Sequence, residues 1–136
     1  MRKTMTTGAV LTAALLTAVA ANPAQAASSV APTYVACTTT GSSGGITINN
    51  WYGPDATVKL AINVYDTASD GHHARVRLVS KNTFGTTRYW PWRMNYDGPG
   101  GKSWNTTASD SSGLFYLGVQ VATFEGDTLL HSCTDW

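Results

Sequence analysis

Glutamate is almost missing from this chain: Glu125 is the only one. A glycosidase needs two placed carboxylates, and here any such pair would have to be drawn from aspartates with no distinguishing pattern. Other catalytic signatures are absent as well. There is no Gly-x-Ser-x-Gly elbow, and neither an H-E-x-x-H helix motif nor a Gly-rich phosphate loop occurs. Charge is sparse, at 12% of residues, and nearly balanced. No field of one sign is available to hold nucleic acid phosphates or an anionic membrane. No run of ten or more residues keeps a 3.6-residue apolar period, which argues against amphipathic helices. Cysteine occurs only at Cys37 and Cys133.

The N-terminus has the three parts of a secretory signal. Met1-Arg2-Lys3 is a positive flank, residues 8–21 are rich in Ala, Leu and Val, and Ala24-Gln25-Ala26 is a small-residue cleavage pattern. The apolar part is shorter than the roughly 20 residues a membrane span needs. Residues 1–26 are therefore read as a cleavable signal peptide and 27–136 as a single secreted, extracellular domain. An uncleaved anchor is the alternative. Cleavage removes Arg2 and Lys3, leaving seven basic against eight acidic side chains. In an oxidising compartment the two cysteines would pair, since an even count in a small exported domain ordinarily forms bridges.

The mature chain alternates with period two. Val58, Leu60, Ile62 and Val64 form one face of a strand, and Lys59, Ala61, Asn63 and Tyr65 the other. Asp70-Gly71 is a strong turn pair. Alternation resumes with Ala74, Val76 and Leu78, so 57–65 and 73–80 are expected to form a hairpin. Phe115, Leu117, Val119 and Val121 repeat the pattern before a turn at 125–127 and a final strand. Further strands are expected at 33–39, 45–50, 86–94 and 103–108. Seven or eight short strands read as an antiparallel β-sandwich of Ig-like or Greek-key type, with a small β-barrel as the alternative. The cysteines fall on the first and last strands, so their bridge would tie the ends of the domain together.

Three segments carry a resemblance. The stretch Asp66-Thr67-Ala68-Ser69-Asp70-Gly71-His72-His73-Ala74-Arg75-Val76-Arg77-Leu78, the run Gly98-Pro99-Gly100-Gly101 with Trp104, and the strand from Val119 to Cys133 are similar to features of small secreted proteins of streptomycetes and related actinobacteria. The resemblance implies origin and a β-sandwich fold, and it leaves chemistry open. More distantly, the chain resembles the apoproteins of actinobacterial enediyne chromoproteins, which are also exported β-sandwiches. Those usually hold two disulfides, whereas this chain has cysteines for one.

The candidate binding residues are aromatic. Trp90-Pro91-Trp92 interrupts an extended run. Residues 90 and 92 of a continuous strand share a face, and Pro91 favours a sheet edge. Two indoles side by side would form a platform for a sugar or another ring. Tyr96 and Trp104 are expected to add contacts, and Arg93 or Asn95 to fix orientation. The alternative is that these rings fill the core. The Gly- and Ser-rich stretch 97–113 is a second candidate for recognition. Asp66 and Asp70 flank a turn and could ligate Ca²⁺, although the spacing is not that of an EF-hand and Asp also favours turns by bonding its own backbone. His72 and His73 would face opposite sides of a strand and so do not suggest Zn²⁺. No cofactor is expected. The resulting reading is a non-catalytic extracellular binding protein for a glycan, a cell-wall polymer or a small aromatic compound. Its rivals are a protein-interaction module (inhibitor, toxin-complex or coat subunit) and a small secreted hydrolase.

Overall fold

The computed structural model describes residues 29–136, so the expected signal at 1–26 lies outside the described residues. The described residues form nine strands: β1 (Thr33–Thr39), β2 (Ser42–Asn49), β3 (Val58–Asp66), β4 (His73–Lys81), β5 (Thr87–Tyr89), β6 (Arg93–Asn95), β7 (Gly100–Ala108), β8 (Tyr116–Glu125) and β9 (Thr128–Asp135). One sheet has the order β1-β2-β3-β7. The other has the order β5-β4-β8-β9, with β6 also paired to β4. Every pairing is antiparallel. The protein is an antiparallel β-sandwich in which the chain changes sheet after β3, after β6 and after β7, and one disulfide closes it.

The alternation read from the sequence sets the core. Val58, Leu60, Ile62 and Val64 of β3 face Ala74, Val76 and Leu78 of β4 and Leu117, Val119 and Val121 of β8, all buried. Burying each Val, Leu or Ile contributes about 1.5–3 kcal/mol. A one-residue slip would turn every one of these side chains outward, which is why the register is well determined. At the β1–β2 turn, Gly41 adopts φ 82°, a region where a Cβ is unfavourable.

Two expectations about connectivity are corrected. Residues 57–65 and 73–80 do not form a hairpin, because β3 pairs with β2 and β7 while β4 belongs to the other sheet. Periodicity tells which face of a strand is buried and leaves its neighbours unspecified. The connector 67–72 is long enough to cross the roughly 10 Å between packed sheets. The strand expected at 86–94 is two short strands, which raises the count from seven or eight to nine. Val79 lies opposite Tyr89 in β5, but Val76 lies opposite Arg93 in β6. The Trp90 N–H donates to the Leu78 carbonyl at 3.1 Å, so Pro91 and Trp92 together oppose Arg77. This is a bulge, with one extra residue on the edge. Pro91, which has no N–H, falls where ladder pairing lapses.

The two sides of the sandwich differ. On one side the edge strands β1 and β9 are joined by Cys37–Cys133, with Cα atoms 6.1 Å apart. The sheets sit close there: a Cβ added at Gly44 would lie 3.2 Å from Val121 Cγ2 across the interface. On the other side the edges are β7 and the short, bulged β5–β6 segment, and the core is open to a cleft.

Candidate functional site

The bulge separates the two tryptophans. Trp90, opposite Leu78, points inward and packs against the core. Its indole Nε1–H donates to Ser80 Oγ at 3.0 Å. The Arg88 guanidinium lies 4.0 Å from the Trp90 ring centre and donates to Asp110 at 2.7 Å. That hydrogen bond, with the Ser112 N–H, holds the Asp110 carboxyl below its ordinary value. Trp92 points to the outer face, edge-on to Phe124 at 5.5 Å. Arg77 lies 4.1 Å from Trp92 and 4.4 Å from Tyr89. Burial draws the Arg77 guanidinium below its ordinary pKa, against an opposing effect of Tyr89. The expected platform of two adjacent indoles on one face does not exist, because the extra residue reverses the parity between 90 and 92.

A different site takes its place. A cleft of about 330 Å³ opens between the sheets on the side away from the disulfide. Leu60 and Ile62 of β3 and Leu78 of β4 line it from the core. Trp90 to Arg93 line it from one edge, and Thr106, Thr107 and Ala108 of β7 from the other. Arg93, opposite Val76, points inward, and its guanidinium lies 5.9 Å from the Trp104 ring. Trp104, opposite Ile62, also points inward and packs on the core. Among the described residues Arg93 forms no ion pair, whereas Arg75, Arg88 and Lys102 each meet a carboxylate. The cleft thus combines an apolar floor, an indole wall, the hydroxyl of Thr106, which shares the inward face with Leu60, and one uncommitted cation.

The other expected site residues lie elsewhere. Asn95 is 2% exposed. Its amide donates to the Gly100 carbonyl at 2.9 Å and accepts from the Asp97 N–H at 3.1 Å, so it fixes the 95–100 turn and is not available to orient a ligand. Tyr96 is exposed, with its ring centre 4.4 Å from His73 and its hydroxyl on Met94 Sδ. It stands on the outer side of the sheet with Trp92. Much of the stretch 97–113 is strand β7 rather than a loop.

Asp66 and Asp70 serve their turn. Asp66 is buried, and one oxygen accepts the Ala68 N–H at 3.1 Å. Its other oxygen has no partner among the described residues. Asp70 engages His72 through both oxygens, at 3.0 Å from the backbone N–H and 3.2 Å from the ring. That backbone N–H is the main reason its carboxyl lies below the ordinary value. Among the described residues no three His, Cys, Asp or Glu side chains come together as a metal set.

Sequence reading covered Thr106 and Thr107 only as part of the broad 97–113 stretch, and it missed two tyrosines of the other sheet, Tyr34 and Tyr65. The signal for the tyrosines was present: Gly45 and Gly101 interrupt strands, which marks a close approach. No family model, curated protein or solved structure matches the chain. Among the described residues no helix is long and apolar enough to cross a membrane. The disulfide is consistent with an oxidising environment.

Proposed function

We propose that this is a secreted, non-catalytic binding protein whose open-side cleft holds a small, flat, largely apolar ring compound bearing an anionic or carbonyl acceptor. The observation that carries the reading is Arg93. Among the described residues it is a cation without a carboxylate partner, turned inward beside a cleft lined by Trp90, Leu60, Ile62 and Leu78. Small-molecule sites have this composition, apolar walls with a few placed polar groups. The hydrolase reading is less favoured, because the residues lining the cleft include no carboxylate, histidine or thiol to act as acid, base or nucleophile. Export is supported by the signal-like N-terminus, the disulfide and the resemblance to secreted actinobacterial proteins.

Anilinonaphthalene sulfonate, a flat apolar ring system with an anionic group, is a suitable probe. The wild-type protein is expected to enhance its fluorescence saturably. A charge-assisted contact contributes about 1.5–3 kcal/mol, so Arg93→Gln is expected to weaken binding about tenfold or more. Thr106→Trp, which fills the cleft from β7, is expected to abolish it. Undiminished binding by a folded Thr106→Trp protein rules out the cleft as the site.

A further inference from the structure

The outer face of the β1-β2-β3-β7 sheet is unlike the rest of the molecule. Pairing places Tyr34, Ala36 and Thr38 of β1 in line with Thr47, Gly45 and Ser43 of β2. These continue across the sheet into Ala61, Asn63 and Tyr65 of β3 and then to β7. Among the described residues, Lys59 is the one charged side chain on the outward positions of these four strands. It lies at the far end of the sheet, between Asn49 and Thr107. Hydroxyl, amide and small side chains fill the other positions.

Two aromatic rings break this surface, and each lies over a glycine. A Cβ added at Gly45 would lie 2.5 Å from Tyr34 Oη and 2.7 Å from Cζ. A Cβ at Gly101 would strike the Tyr65 ring at Cε1 and Cδ1. The rings therefore rest on bare backbone instead of standing upright. Tyr34 and Tyr65 are nonetheless 60% and 48% exposed. Ordinary packing would have covered them; here one side of each ring rests on the sheet and the other is left to solvent. Between them is a shallow depression of about 270 Å³, reached by Thr38, Ser43 and Asn63.

We propose that this face binds an uncharged polysaccharide, with Tyr34 and Tyr65 as stacking platforms and Thr38, Ser43 and Asn63 as hydrogen-bonding groups. Each element fits that ligand. The apolar face of a sugar ring stacks on a tyrosine ring that is already immobilised, so little side-chain entropy is lost on binding. Hydroxyls and amides match sugar hydroxyls as both donors and acceptors. The scarcity of charge matches a neutral polymer, since an anionic one would find only Lys59. A protein partner would require a contiguous apolar centre, whereas here the two rings are separated by polar side chains. The site lies on the opposite sheet from the bulged edge, and its proposal does not depend on the cleft.

Depletion from suspension by insoluble cellulose and chitin, with soluble polygalacturonate as an anionic comparison, tests the proposal. The wild-type protein is expected to be retained on at least one of the two neutral polymers and to ignore polygalacturonate. Tyr34→Ala and Tyr65→Ala are each expected to lower retention about tenfold. Gly45→Ala, which lifts the Tyr34 ring off the sheet, is expected to act in the same direction. Near-ultraviolet circular dichroism identifies variants that keep the fold. Thr106→Trp, which blocks only the cleft, is expected to be retained like the wild type, so the two sites can fail separately. The proposal is overturned if neither neutral polymer retains the protein. A folded Tyr34→Ala/Tyr65→Ala double variant that is retained like the wild type, or a preference for polygalacturonate, overturns it as well.

Discussion

Trp90 and Trp92 are held on opposite faces of one sheet by a single extra residue opposite Arg77. The inward indole becomes a wall of the cleft and is fixed by Ser80. The outward indole becomes part of a layer of cations and rings that covers the sheet, with Arg77, Tyr89, Phe124 and Arg75. The same dipeptide spacing thus serves binding on one side and stability on the other.

This division predicts distinct phenotypes. Ser80→Ala leaves the Trp90 N–H without its acceptor, at a cost of about 1 kcal/mol, and the loosened indole should bind anilinonaphthalene sulfonate less tightly. Phe124→Leu removes the ring beneath Arg75 and beside Trp92. It should cost about 1–2 kcal/mol yet leave probe affinity unchanged. Urea unfolding together with probe titration separates the two effects. Equal loss of affinity in both variants would contradict the division.

His73 sets a pH dependence. Burial, and then the neighbouring Arg75, hold its pKa below the ordinary 6.5. Its Nε2 accepts a hydrogen bond from Arg75 Nε at 2.9 Å. Below pH 6.5 the unfolded chain binds this proton before the folded one does. Stability should therefore fall as pH drops from 6.5 and level off once the folded His73 titrates. The depressed carboxyls of Asp70 and Asp110 act lower, their stabilisation being lost as pH falls below 3.8 through their folded values. His73→Gln retains an acceptor for Arg75 and should flatten only the upper window. Thermal melts between about pH 4.5 and 7.5 measure this, and an unchanged slope in the variant would contradict it.

The disulfide joins residues 96 positions apart. On the chain-entropy account, closing a loop of that length stabilises by about 4–5 kcal/mol, comparable to the whole stability of a small domain. Cys37→Ser/Cys133→Ser should lose most of the urea resistance of the oxidised protein. A loss below about 1 kcal/mol would show that β1 and β9 hold together without it.

The sequence displays side-chain alternation clearly and strand partners poorly. β1 is bounded as read, and β3 and β4 bury the expected faces because period two translates directly into burial; β8 does so from Leu117 onward, whereas Phe115 precedes the strand and is exposed. The Cys37–Cys133 pairing follows from there being two cysteines. The β3–β4 crossover was invisible, since Asp70-Gly71 turns the chain equally well within a sheet or between sheets. The bulge was also hidden: Pro91 signalled an edge, but nothing local shows that a residue is supernumerary. Asn95 looked available because its three partners, Asp97, Gly98 and Gly100, meet it only once the turn has folded.

A heteronuclear NMR titration with anilinonaphthalene sulfonate tests the cleft most directly. Saturable shifts are predicted for the Trp90 indole and for the backbone amides of Ile62, Leu78 and Thr106, with Tyr34 and Phe124 signals far less affected. Shifts confined to the Trp92–Phe124 face, with Trp90 and Thr106 unmoved, would contradict the account.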